Sequence, residues 1–559
     1  MNELLEASKL LRASLTRYMD ACSAATKTYD PSDRQRVESH HLLDCITREL
    51  QAVSGYEEDL RAIKSTLAQS RNSAFTISPI NALPCEVLNH IFGLLSRSHG
   101  CLTPTRFDDN PNISRSDDGD SLDYGIQFLT IPEIVSRVCS HWRKVALSTH
   151  ELWTHVDIIT FDRWCTKLLS RSKLFASRTL SAPLDLHVST PRHNSVVQSP
   201  STSPSELKLS SALIAPKIGS FRLDDSSNNR DEFSHLINYF LRHITPGALT
   251  RLILLDHSPM IMGRIDVIDP NGPEHEVHSW ISKSPPPLWM SMKVLDEILL
   301  PVKVLWLRNR FFPWDSRAYS GLVDLRLLSH DMSWGPLIGI SELVGILSSC
   351  PELRIFHCEL DVDTHIYNIQ PTVRIVLKDL EALKLHGMLP DHSASLLSHI
   401  YPGTKPLSLS IRVGGQNILE NLSPQLSDFF RRTNIERLFL TAYTTVQVSV
   451  GRLFPSLPAG LRTLGFNSVR LAQESSELLR SDQPRWTKID TLILDRSTSD
   501  ITTLHRLATA YSIRALVLNP DDVHFEGNKP MDEELKQTIP IIRKISKEYG
   551  VDGNGWISG

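Results

Sequence analysis

Val302-Lys303-Val304-Leu305-Trp306-Leu307 and Leu322-Val323-Asp324-Leu325-Arg326-Leu327 carry one short pattern, apolar-x-x-apolar-x-apolar, in close succession. The pattern recurs along the second half of the chain, with middle positions at Leu305, Leu325, Leu353, Leu383, Leu409, Leu438, Leu464, Leu492 and Leu516. The gaps are 20, 28, 30, 26, 29, 26, 28 and 24 residues. Two apolar residues flanking a variable one read as a strand with one buried face. Recurrence at this period means that each repeat adds one short strand to a parallel sheet. Residues 218–223 and 249–254 are weaker copies, and residues 156–158 and 184–188 read as the first strands. Between Leu252 and Leu305 the gap is twice the period, so a repeat is hidden there or replaced by a loop.

A period in and near the 20 to 29 residue range is that of leucine-rich repeats. The standard repeat also has Asn or Cys three residues after its last leucine. Here only Cys358 fits, while His330, Tyr443 and Val469 stand at other such places, so an irregular array is expected. Segments 341–347 and 501–511 have helical spacing and would form the second layer. From Asp522 on the pattern stops, and Pro540 can open a closing helix through Ile541, Ile542, Ile545 and Tyr549 that covers the open end of the sheet.

A chain of 559 residues exceeds one compact core, so several domains or an extended array are expected. Hydrophobic content of 41%, charged content of 22% and a formal net charge of -4 are those of an ordinary globular protein, and imply no nucleic-acid partner. The start, Met1-Asn2-Glu3-Leu4-Leu5-Glu6, carries acids where a secretory signal carries bases. No stretch reaches the roughly 18 apolar residues of a membrane span. A soluble chain in the cytoplasm or nucleus, with no membrane partner, is the expectation. The eight cysteines form no CxxC pair and no Cys/His cluster, so no metal or disulfide frame is expected. There is no GxSxG, Walker loop or GxGxxG, and His275-Glu276-Val277-His278 lacks the i, i+4 histidines of a zincin. No catalytic residues and no cofactor are assigned.

The first residues read as two helices. Leu4, Ser8, Leu11, Leu15, Tyr18 and Cys22 step by four and three on one face. Asp30-Pro31-Ser32 breaks that helix, and Ser32 with Gln35 fits a capping box. The second stripe runs Leu43, Ile46, Leu50, Val53, Tyr56, Leu60, Ile63, Leu67, with one shortened step at Val53 to Tyr56. An antiparallel hairpin sharing a seam, which the short loop favours, and a coiled-coil dimer would both use these stripes.

Between hairpin and repeats stand two short amphipathic helices. Pro84 fits a first helical turn and Glu86 suits the positive end of the helix dipole, after which Val87, Leu88, Ile91, Phe92 and Leu95 make a wide apolar stripe. Thr130, Pro132 and Glu133 repeat the start signal, and Ile134, Val138, Cys139, Trp142 and Val145 make a facing stripe. Two short helices can hardly bury both stripes alone, which points to a partner. The insert at about 99–126 holds Asp108, Asp109, Asp117, Asp118, Asp120 and Asp123 and reads as flexible. A calcium loop there fails, with Ile113 where Gly is needed and Gly119 where Glu is needed. A second flexible stretch, at about 189–211, contains Ser199-Pro200 and Ser203-Pro204.

The run Leu83-Pro84-x-Glu86-Val87-Leu88-x-x-Ile91-Phe92, then Val138-Cys139-x-x-Trp142-Arg143-x-x-Ala146, then Leu152-Trp153 resembles the F-box of fungal proteins with an N-terminal helical pair and a degenerate leucine-rich region. The sharp motifs cover about a tenth of the chain. The resemblance implies contacts to a Skp adaptor from Leu83, Pro84, Val87, Leu88, Ile91 and Phe92, completed by Val138, Cys139, Trp142 and Arg143. Through the adaptor it implies a cullin. Trp153 is expected to pack the junction with the repeats. The fold class is then α+β to α/β: a helical hairpin or coiled-coil segment (1–75), a small all-helical F-box (76–155), an irregular leucine-rich-repeat-like solenoid (156–525), and a capping helix and tail (526–559). The implied function is substrate recognition in an SCF-type E3 ubiquitin ligase, non-catalytic, with an unknown protein target. A repeat scaffold without any ligase is the alternative, and an enzyme on a repeat-like fold is a third and weaker one.

Overall fold

The computed structural model describes residues 2–27, 36–72, 79–98, 130–160, 162–190, 217–226, 230–258, 263–270, 287–329, 338–363, 374–413, 424–454, 457–472, 488–499, 501–518 and 538–544. The acidic insert, the Ser/Pro stretch beyond residue 190, the Ser32/Gln35 signal, His330, the 275–278 run and everything after residue 544 lie outside them. The chain divides into two compact units, Met1–Asn89 with Ile134–Val145, and His90–Glu133 with Ala146–Gly559. Mixed helix and strand with a large, open parallel sheet is the architecture.

The N-terminal helices are α1 (Asn2–Lys27) and α2 (Arg36–Asn72). The Tyr18 hydroxyl donates to Glu49 at 2.7 Å, and its ring meets Tyr56 edge-on, centroids 6.4 Å apart. These contacts tie α1 to α2 and leave Tyr18 and Val53 half-buried, but the pairing does not seal the stripes: ten of their large apolar residues run from 38% exposed at Leu15 to 64% at Leu50. A single facing helix covers only one flank of each. A short 3-10 turn (Pro79–Ala82) leads to α3 (Cys85–Ser98), and α4 (Ile131–Val138) and α5 (Ser140–Ser148) follow.

The sheet has fourteen strands along its main path: β1 (His155–Ile159), β2 (Leu184–Thr190), β3 (Ile218–Asp225), β4 (Arg251–Asp256), β5 (Val304–Arg308), β6 (Asp324–Leu328), β7 (Ile355–Cys358), β8 (Ala382–Leu385), β9 (Leu407–Arg412), β10 (Ile435–Ser449), β11 (Thr463–Ala472), β12 (Thr491–Asp495), β13 (Ala515–Leu518) and β14 (Ile541–Lys544). Their spatial order is their sequence order, and every neighbouring pair is parallel. A sheet that grows at one edge without reversal needs every crossover to have the same hand, so the connections lie on one face.

The pairing register reads out the repeat. Val156, Leu186, Phe221, Leu252, Leu305 and Leu325 stand level on successive strands, and the row continues through Phe356, Leu383, Leu409, Leu438, Leu464, Leu492 and Leu516. A second row two residues on runs from Ile158 to Leu518, and both rows are buried throughout. The connecting helices cover them with residues such as Leu295, Ile298 and Leu299 of α6 (Met292–Leu299) and Leu343, Ile346 and Leu347 of α7 (Ile340–Ser348). This burial of two aliphatic side chains per strand is the main source of stability.

Three sequence expectations change. Leu353 is not a middle position: it is buried in the turn after α7, its N–H donating to the Cys350 carbonyl, and Phe356 stands level with Leu325 and Leu383. Cys358 therefore fills a core position between Leu327 and Leu385, where burial pushes its thiol up to about 12, and it is no turn residue. The turn role falls once to Asn309, whose side-chain amide donates to the carbonyls of Asp256 and Ser258. Of the two alternatives for the doubled gap the loop holds: β4 and β5 pair directly, and the short strands Gly263–Arg264, Val267–Ile268 and Leu288–Trp289 between them lie outside the main sheet. Finally, Ile541–Lys544 is a strand and not the start of a closing helix. The edge of β13 offers unpaired backbone groups, and a β-branched run behind Ile539 and Pro540 takes them, Ile541 N–H donating to Arg514 O at 3.2 Å.

Phe356→Ala is expected to cost about 3–5 kcal/mol, since its ring fills the first row between two leucines. Denaturant unfolding checks it, and a loss below about 1 kcal/mol would contradict the corrected register.

Candidate functional site

The short helices start as their sequence dictates. The Pro84 carbonyl accepts the N–H groups of Val87 and Leu88, both at 3.1 Å, with Glu86 in the first turn of α3. The Glu133 carboxylate accepts from the Thr130 N–H at 3.0 Å and hydroxyl at 3.1 Å, fixing the start of α4. The two sequence halves meet although 61 residues separate them: the Trp142 indole N–H donates to the Asn81 side-chain carbonyl at 2.9 Å. Cys139 accepts the Trp142 N–H through its sulfur at 3.4 Å, and with Ser140, His141, Asn81, Ser65 and Ala68 it lines a cleft of about 320 Å³.

The predicted adaptor-contact residues divide into three groups. Val87 (41% exposed), Val138 (54%), Pro84 and Arg143 face solvent, and Leu83, Ile91, Cys139 and Trp142 are half-buried. Leu88 and Phe92 are fully buried. They lie one residue round α3 from Val87 and Ile91, and Val135, Val145 and Ala146 of the following helices are buried as well. A stripe read as one broad face is thus two stripes offset by one residue. Ile80, Leu94 and Ile134 are exposed apolar residues that the motif did not single out. The 87-91-94 step of three and four along α3 is the signal that could have found Leu94. Trp153 is fully buried as expected, its indole donating to Ala146 O at 2.8 Å, its edge on Phe175 at 5.0 Å, and the Arg178 guanidinium over its face at 4.0 Å.

The second surface is the sheet face opposite the leucine rows. Residues between and beside the two rows point there, because side chains alternate along a strand. On β1 to β4 they form a cross-strand ladder of alternating imidazoles and carboxylates. His155 bonds Asp185 at 2.9 Å and stands 3.2 Å from Asp157; His187 bonds Asp157 at 3.0 Å and lies 3.6 Å from Asp224; His257 bonds Asp224 at 2.9 Å. Burial opposes the charge of Asp157, but hydrogen bonds from His155 and His187 outweigh it and hold the carboxyl well below its ordinary range. Burial likewise opposes Asp224, and His187, His257 and Arg222 overcome it. The ladder ends on Arg308, 3.1 Å from His257.

At β5 the face becomes apolar. Trp306 packs on Ile253, Leu255 and Leu328, with the guanidinium groups of Arg326 and Arg251 over its ring at 3.8 and 5.6 Å. Its indole N–H and the Nε of Arg308 have no hydrogen-bond partner among the described residues. Next along the row, Arg326 chelates Asp324 at 3.0 and 3.1 Å, and Lys384 bonds Glu359 at 2.8 Å. Between them His357 is completely enclosed, and neither ring nitrogen has a partner among the described residues. Burial first, then the adjacent cations of Arg326 and Lys384, push its pKa down to about 3. It is held neutral. Among the described residues no group of His, Cys, Asp and Glu is arranged to hold a metal ion, and no helix is long and apolar enough to cross a membrane.

A consequence for pH follows from His357. The unfolded imidazole takes up a proton below about 6.5 while the folded one resists until about 3, so the unfolded state binds more protons in that window. Stability is therefore full above about pH 6.5 and falls as pH drops towards 3, by up to about 1.4 kcal/mol per pH unit. Unfolding midpoints across this range are expected to fall less steeply in His357→Gln, and an unchanged slope would refute the assignment. No family model matches the chain, and no curated protein matches it.

Proposed function

We propose that this chain is the substrate-recognition subunit of an SCF-type ubiquitin ligase. In this reading the helices from Ile80 to Trp153 are an F-box that docks on a Skp adaptor, and through it on a cullin. The sheet is an irregular leucine-rich-repeat solenoid whose open face receives a target protein. The observation that carries the reading is the division of the short helices into inward and outward apolar stripes. Leu88, Phe92, Val135 and Val145 are each buried, while Val87, Ile134 and Val138 on the same helices remain open to water. Apolar side chains left out at the places of a docking motif suit helix-in-groove association.

The sequential strand order and the two leucine rows support the repeat reading. Its open face offers ion-paired polar ground interrupted at Trp306 by an apolar spot with unpaired donors, the composition of a protein-binding surface with a central anchor. The chain would do no chemistry. Holding target and adaptor on one frame raises the effective concentration of a target lysine near the loaded conjugating enzyme.

Co-purification with a Skp adaptor tests the proposal. The intact chain is expected to capture the adaptor stoichiometrically, and a Val87→Asp, Val138→Asp variant with unchanged circular dichroism to lose at least 100-fold in affinity. Absence of capture by the intact chain would overturn the ligase reading and favour a repeat scaffold.

A further inference from the structure

The stripes of α1 and α2 remain uncovered although the two helices are in contact. Ten large apolar residues of the predicted seam, each roughly half exposed, leave on the order of 800 Å² open, about what one partner contributes to a stable interface. Exposure on this scale along a hairpin is unusual for a free surface. The steps of three and four on both helices are those by which helices interlock as knobs into holes, so the complementary surface is another helix pair of the same spacing.

We infer that the hairpin pairs with the hairpin of a second copy of this chain, making a four-helix bundle about a two-fold axis. Charge selects the register. With Tyr56, Leu60, Ile63 and Leu67 along the seam, Glu57 and Lys64 occupy equivalent flanking positions one heptad apart. Two α2 helices crossing antiparallel with the axis between Leu60 and Arg61 place Glu57 of each copy opposite Lys64 of the other. A two-fold axis makes both pairs at once. A parallel pairing would set each charge against its own kind. Glu57 pairs with Arg61 of its own helix at 3.1 Å, an exposed pair, and Lys64 makes no ion pair among the described residues. The inference does not rest on the adaptor reading, since α2 ends before the docking helices begin.

Analytical ultracentrifugation of the full chain tests it. The intact protein is expected to sediment with the mass of two chains at micromolar concentration, and Leu60→Asp, with its helix content checked by circular dichroism, as one. Lys64→Glu is expected to weaken the dimer about tenfold, and Glu57→Lys added to it to restore the intact affinity. A monomer persisting at about 50 micromolar, far above a micromolar Kd, or a dimer indifferent to Leu60→Asp, would overturn the inference. A dimer broken by Leu60→Asp but insensitive to both charge changes would overturn the antiparallel register.

Discussion

In a parallel sheet grown one strand at a time, each new strand must bring its two inward side chains level with those already in place. A slip of one residue would send both to the opposite face and leave backbone and apolar surface unmatched together. That constraint explains why the two buried rows persist from β1 to β13 while the connections vary. Loop length costs little, because closing a longer loop adds only slowly to the entropy lost. Between β4 and β5 the chain can therefore wander and return in register. Shortening or lengthening a strand by one residue has no such freedom.

The same alternation that buries leucines forces the intervening residues into a second set of rows, packed shoulder to shoulder at strand spacing. Charges placed there cannot reach water freely and must find partners along the row. Asp157 and Asp224 each lie between two imidazoles, and Arg326 and Lys384 each hold a carboxylate. The exceptions carry the information. Among the described residues His357 has no partner and stays neutral, while Trp306 and the Nε of Arg308 keep donors unspent beside an apolar spot of this face.

Much of this was legible in the sequence because the leucine period is written in residue identity. It failed where identity and geometry part. Leu353 satisfied the pattern, yet Phe356 and Cys358 fill the rows, since a ring and a thiol serve a buried column as well as leucine does. Ile541 and Ile542 fitted a helix start, but an open sheet edge decided for strand, and that edge is a tertiary fact invisible to local spacing. On α3 the motif named Leu88 and Phe92 beside Val87 and Ile91, and only packing shows which pair turns inward.

The short helices and the hairpin raise one question, whether an exposed apolar stripe is a defect or an interface, and the answer differs in kind between them. On α3 and α4 the inward stripe is closed, so the outward residues are extra: the fold stands without them, and substituting them should change association while leaving structure intact. On α1 and α2 no inward stripe exists, because two helices can cover each other only along one line. There the exposed residues are the only core available, as in any bundle short of its full number of helices. The hairpin helices should then be most stable at concentrations where the second copy is bound.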